Sequence, residues 1–184
     1  STEAVDFEGA ADATDDDAPP PRKYSKRNKG AQEFERHVSK GLHRVAKSVE
    51  AGLREELNAG DTTGGFLVWD DDPVLTGQIY AKGSGIACGM MFSEETVKLI
   101  EPEAEVEYGL QDGDAIGPGT VLLKIRAKAS TFFMIERAAL DWVQQLSGIA
   151  TKTRRYMDLV KHTKVRLTDT RKGWPGFRLL QKYA

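Results

Sequence analysis

"ERAALDWVQQLSGIATKTRRY", residues 136–156, is the stretch on which the reading of this chain turns. Apolar residues at helical spacing run through its first half, with Arg137 set beside Glu136. Ser147-Gly148 then reads as a break, after which threonines and two further arginines follow at once. The pattern predicts one helix over about 132–146 and a second over about 149–161. A helix that only covers a core needs no such alternation of cations and small residues, so the stretch also marks candidate functional positions.

Upstream, Phe34, Val38, Leu42, Val45, Val49, Leu53 and Leu57 recur every three or four residues and predict one long amphipathic helix. "NAGDTTGG" (58–65) is a loop. "FLVW", "LTGQIYAKGSGIACGMM", "EVEYGL" and "TVLLKIRAKAS" read as strands, and "DGDAIGPG" (112–119) as the turn before the last of them. The expected fold class is α+β, with the N-terminal helix packed on an antiparallel sheet, a helical pair, and then one strand (165–168) and one helix. Three segments follow: a low-complexity arm over 1–30, an α+β domain over 31–163, and a strand-helix remnant over 164–184.

With 184 residues, 40% of them hydrophobic, the chain can bury one real core. Its 26 basic and 28 acidic residues nearly cancel, so no global field draws it to nucleic acid or an anionic membrane. Residues 1–30 hold an acidic block, three consecutive prolines and a basic block, a composition that cannot offset its ordering entropy by burial. Arg22, Lys23, Lys26, Arg27 and Lys29 could touch nucleic acid, but a solvated linker or protein-binding tail is the favoured reading, and no nucleic-acid partner is expected. The single cysteine, Cys88, has apolar neighbours and is expected to be a small buried hydrophobe. His37 and His43 are six apart and do not share a helix face, so no metal site is expected. A start at Ser1 rather than Met fits removal of a targeting segment.

Five blocks, "LREELNAGDTT", "GSGIACG", "LQDGDAIGPGTVLLKI", "ERAALDWVQQLSGIATKTRRY" and "LTDTRKGWPGFRLLQKYA", stand in the order and approximate spacing of the quinolinate phosphoribosyltransferases, which the chain resembles over about 50–184. The resemblance implies the N-terminal domain of that family followed by only the start of its α/β barrel. Family members join quinolinate to phosphoribosyl pyrophosphate, releasing pyrophosphate and carbon dioxide, to give nicotinate mononucleotide. Arg137 resembles the family's arginine that reaches into the neighbouring subunit's site. Thr170, Arg171 and Lys172 resemble its substrate-binding DTRK motif. Guanidinium forks and ammonium groups are what a dicarboxylate and a polyphosphate demand. Each feature also has a plain reading: Glu136 with Arg137 as a surface pair, Ser147-Gly148 as a helix cap, Asp169 with Arg171 as a loop salt bridge.

Two departures shape the functional expectation. "DTRKGWPG" replaces the family's usual DTRKTTPG, so Gly173 and Trp174 stand where two threonines are typical. The family's glycine-rich turn with its His-Arg pair, its later lysine, and the carboxylates that handle ribose and magnesium have no counterpart. The chain is therefore expected to be a non-catalytic accessory or structural subunit of a larger assembly, binding other protein subunits through the arm and helices. In that reading Arg137, Arg171 and Lys172 are neutralised by carboxylates, Glu136 and Asp169 being nearest in sequence, and Trp174 fills the space left for substrate. The alternative is the N-terminal half of a split or fragmentary enzyme, completed by a barrel-bearing chain or as a homodimer. No cofactor is expected, magnesium entering only if the chain is completed as an enzyme. Mitochondrial location is the first expectation, cytoplasmic the second.

Overall fold

The computed structural model describes residues 47, 49–55, 71–170, 172–174 and 176–184. The 1–30 arm, most of the predicted N-terminal helix, "FLVW" (66–69) and Arg171 lie outside the described residues. Residues 49–55 (α1) are helical. Then follow β1 (Val74–Tyr80), β2 (Gly85–Ile86), α2 (Met90–Ile100), β3 (Glu105–Tyr108), β4 (Ala115–Ile116), β5 (Val121–Lys128), α3 (Ala129–Val160) and α4 (Arg178–Tyr183).

Strand β5 carries the clearest period of two: Leu123, Ile125 and Ala127 are buried while Lys124, Arg126 and Lys128 are exposed. It is the central strand of an antiparallel sheet ordered β1-β5-β3. Gly77 faces Ile125 on one side and Glu105 faces Arg126 on the other. On the solvent face the directly opposed Arg126 and Glu105 side chains pair at 2.9 Å, which favours this register. The "DGDAIGPG" stretch, expected to be turn alone, also supplies the short strand β4, which pairs antiparallel with β2 as a two-stranded ribbon.

The mixed helix-and-antiparallel-sheet architecture is as the sequence predicts, with corrections at three elements. "CGMM" does not continue a strand, because Met90 and Met91 open α2, a helix absent from the sequence reading. Gly89 makes the change of direction at φ 100°, and a β-carbon there would stand 2.8 Å from the Trp142 carbonyl oxygen, so only glycine fits. The second correction is larger: α3 is one continuous helix of 32 residues, not a pair. Ser147 does not cap or break it. Its hydroxyl accepts from the Cys88 N–H at 3.0 Å and donates to the Cys88 carbonyl at 3.1 Å, while Thr151 one turn later accepts the Ile86 N–H at 2.8 Å. Two helix hydroxyls thus serve as the sheet partners that the backbone of 86–88 lacks on that side. Gly85 permits the approach, since a β-carbon there would lie 2.6 Å from the Thr151 hydroxyl oxygen.

Third, 165–168 does not form a strand: a strand needs a neighbour for its N–H and C=O groups, and no described segment pairs with it. The helix expected after it is present as α4.

Two apolar clusters result. One joins the sheet to α2 and α3 through residues such as Leu122, Leu123, Ile125, Met90, Val97 and Ile135. The other joins α1, α3 and α4 through Val49, Leu146, Ala150 and Leu180, with Ile86, Cys88 and Phe92. The described part of the N-terminal helix therefore packs in this second cluster, and the sheet rests on α2 and α3.

Candidate functional site

From Lys152 to Leu159 α3 is exposed on every side, and 167–170, Lys172 and α4 lie beneath it. The hollow so formed has a volume of about 500 Å³ and is walled by Ile149, Thr153 and Tyr156 of α3, by 167–170 and Lys172, and by Arg178, Gln181, Lys182 and Tyr183 of α4. Thr170 and Lys172 are both on its wall, the Lys172 N–H donating to the Thr170 hydroxyl at 3.1 Å. Asp169 is the one carboxylate side chain among the described lining residues. It pairs with Arg178 at 3.3 Å, while the loop salt bridge expected with Arg171 involves a residue outside the described ones. Lys172 and Lys182 have no carboxylate partner among the described residues, which leaves the hollow with an excess of positive charge.

Arg137 is exposed on α3 and forms no ion pair among the described residues, with Glu136 or otherwise. It lies 16 residues before Thr153 on the same helix, about 24 Å along its axis at 1.5 Å per residue. One chain therefore does not bring Arg137 to Thr170 and Lys172. Arg155, one of the two further arginines, faces another hollow of about 590 Å³ with Lys152, Lys82 and Gly148. Trp174 fills no space within the chain: it is 79% exposed, against the expectation that its ring packs where substrate would lie.

The residues that position this site were not singled out in the sequence. Asp112 accepts the N–H groups of Gly89 (2.9 Å) and Met90 (3.4 Å) at the start of α2, and also the hydroxyl of Tyr183 from α4 (2.6 Å). A capping carboxylate 22 residues after the helix start gives no local signal, because the recognisable capping box spans only about three residues. Burial, and then the neighbouring Asp112 carboxylate, raise the Tyr183 hydroxyl well above its ordinary value, so it remains a donor. The same two causes raise the Cys88 thiol, consistent with its expected role as a buried, unreactive side chain.

Magnesium is the one ion that the family resemblance implies. Among the described residues no three His, Cys, Asp or Glu side chains gather to hold a metal, and the carboxylate of the hollow is committed to Arg178. These residues do not fit a magnesium site.

Comparison with known proteins gives the geometry its context. The family model described as quinolinate phosphoribosyl transferase, N-terminal domain, matches residues 61–147, and that of the C-terminal domain matches 149–184. The chain is 36% identical over 144 residues to a nicotinate-nucleotide pyrophosphorylase (carboxylating) from Mycobacterium leprae, covering 74% of this chain and 49% of that one. It is 32% identical over 145 residues to a mitochondrial quinolinate phosphoribosyltransferase (decarboxylating) of Nicotiana tabacum, covering 79% and 39%. The structure of the nicotinate-nucleotide pyrophosphorylase from Francisella tularensis superposes with a TM-score of 0.70 at 28% identity, over 77% of this chain and 50% of that one. The chain thus spans about half or less of the length of these relatives. Two family models matched in order on either side of Gly148, with the same fold beneath them, identify it: the chain belongs to the quinolinate phosphoribosyltransferase family.

Proposed function

We propose that this chain is the dicarboxylate-binding half of a quinolinate phosphoribosyltransferase, with the groups that handle ribose, pyrophosphate and metal supplied by barrel polypeptide outside residues 1–184. The observation that carries the reading is the state of the cations. Lys172 stands beside Thr170 on an open hollow, and neither Lys172 nor Arg137 is neutralised by a carboxylate among the described residues. Lys172 shares the hollow with Lys182 and Arg178 against one carboxylate side chain among the described lining residues, that of Asp169, so an anionic ligand there would offset the mutual repulsion of these cations. A substrate with two carboxylates supplies the missing charge through charge-assisted hydrogen bonds to Lys172, to Arg171 and to Arg137 of a second copy. The second copy is required because Arg137 lies far along α3 from the hollow. Within the hollow, Thr170 offers a hydroxyl to orient an anion and Lys172 a mobile point charge.

The non-catalytic, structural reading is favoured by a different observation. Tyr156, Met157, Leu159, Val165, Leu167 and Trp174 leave an exposed apolar surface at this end of the molecule, which fits a protein partner. Both readings place another polypeptide there. A mitochondrial setting remains part of the proposal, one relative carrying that word in its name.

Calorimetric titration of quinolinate into the full chain with its co-purifying partners decides between them. Micromolar binding, on the order of −8 kcal/mol, abolished by R171A in a variant that still folds, is the expected result. No heat of binding to a folded wild-type assembly would leave the structural subunit as the function.

A further inference from the structure

The segment that carries Thr170 and Lys172 is irregular and pairs with no strand, so something else must give it a shape. The contacts that do so run through α4. The Arg178 guanidinium sends Nη2 to the Asp169 carboxylate at 3.3 Å and Nη1 to the Thr170 carbonyl at 3.4 Å, so one planar fork holds two consecutive residues. Both lie immediately before the Arg171-Lys172 pair.

Helix α4 cannot hold itself in place. Six residues are far too few for a helix to persist alone, so its position comes from packing. Leu180 is 1% exposed in the second apolar cluster, and Phe177 stacks on Trp142 at 6.2 Å and 12°. These contacts fix where α4 lies but only loosely how it is rotated, since apolar packing is not directional. The Tyr183 hydroxyl is directional. Its 2.6 Å bond reaches the same Asp112 oxygen that accepts the Gly89 N–H, and its ring meets Phe92 edge-on at 5.5 Å. The rotation of α4 is thereby referred to the start of α2, deep in the fold.

We propose that Arg178 and Tyr183 are positioning residues: Tyr183, bonded to Asp112, sets the rotation of α4, and Arg178 uses that setting to hold Asp169 and Thr170, and through the Thr170 hydroxyl the Lys172 N–H, in the arrangement that presents Thr170 and Lys172 to the hollow. The inference rests on the reading of the hollow as a dicarboxylate site for its purpose, but not for its geometry. It is separable from a general stabilising role. The Arg178 and Asp169 side chains are 47% and 39% exposed, and a pair so exposed contributes little to global stability. Loss of Arg178 should therefore loosen the loop without lowering the melting temperature.

The test is amide hydrogen exchange on the full chain, wild type against R178A, R178K and Y183F, with quinolinate titrated into each. R178A is expected to speed exchange at Lys172, whose N–H is bonded to the Thr170 hydroxyl, by about tenfold or more while α2, α3 and the sheet keep their protection. R178K, which can pair with Asp169 but lacks the fork, should restore only part of the loss. Y183F removes one oxygen, and is expected to speed exchange in α4 and at Lys172 together. Unchanged exchange at Lys172 in R178A overturns the proposal, as does a Y183F effect confined to α4. Full protection in R178K overturns the role of the fork. If the exchange results are as expected but no protein binds quinolinate, the positioning stands and the dicarboxylate reading falls.

Discussion

Asp72, Glu101 and Asp112 each serve a helix to which they do not belong. Helices α2 and α3 have no side-chain cap of their own and no acidic residue in the first turn. At α2 the deficit is met by Asp112. At α3 Asp72 takes the Ser130 N–H at 2.9 Å and the Ser130 hydroxyl at 2.7 Å, while Glu101 takes the Lys128 N–H at 2.9 Å and the Thr131 hydroxyl at 2.7 Å. Borrowed caps make tertiary structure a condition of each helix start, because the carboxylate arrives only when the chain has folded. The consequence for pH is signed. The Ser130 backbone N–H, and then its hydroxyl, hold the Asp72 carboxyl below its ordinary value. A depressed folded-state pKa means that the cap contributes fully above the unfolded value and is lost as pH falls through the folded one. D72N, which keeps an acceptor but cannot titrate, should flatten that part of the acid limb. Denaturant midpoints of the two proteins across the acid range will show it, and parallel curves would mean that Asp72 carries no folding linkage.

At the scale of elements, α3 is the informative case. A β-carbon on Gly148 would meet no heavy atom within 4 Å, so the glycine serves neither close packing nor a turn within this chain. G148A should stabilise the chain by about 0.5–1 kcal/mol, because alanine loses less backbone entropy than glycine in a helix interior. Equilibrium denaturation measures this, and a destabilised G148A would mean that the helix bends there after all. The same residue shows what the sequence makes legible. Alternation in β5 and the three-to-four spacing of Val49 and Leu53 can be read directly, because each pattern is local and the buried face follows from it. Ser147-Gly148 misleads because both residues are poor in helix interiors on average, whereas here the serine is tied to Cys88, 59 residues away. Helix α2 escapes for a similar reason: its cap is distant, and Met90 and Met91 are as apolar as the strand before them. Of the candidate site, Thr170 and Lys172 are legible as a motif. Asp112, Arg178 and Tyr183 are not, since their roles exist only once α4 is folded against the start of α2.

At the scale of the whole molecule, the two described family cations, Arg137 and Lys172, stand in different places. Arg137 is on the first half of α3, Thr170 and Lys172 are beneath its second half, and Arg171 lies outside the described residues. The chain alone is therefore expected to form no nicotinate mononucleotide from quinolinate and phosphoribosyl pyrophosphate, since the donors for developing charge are incomplete. Product formation above that of an R171A control would refute this. The continuity of α3 bears on how the two matched segments are joined. The junction between the two matched family models falls at Gly148, inside an unbroken helix about 48 Å long at 1.5 Å per residue. A boundary drawn by homology is here not a joint. The exposed end that walls the hollow and the segment bearing Arg137 belong to one uninterrupted helix, so neither can be reoriented as a separate hinged unit without breaking backbone hydrogen bonds of α3.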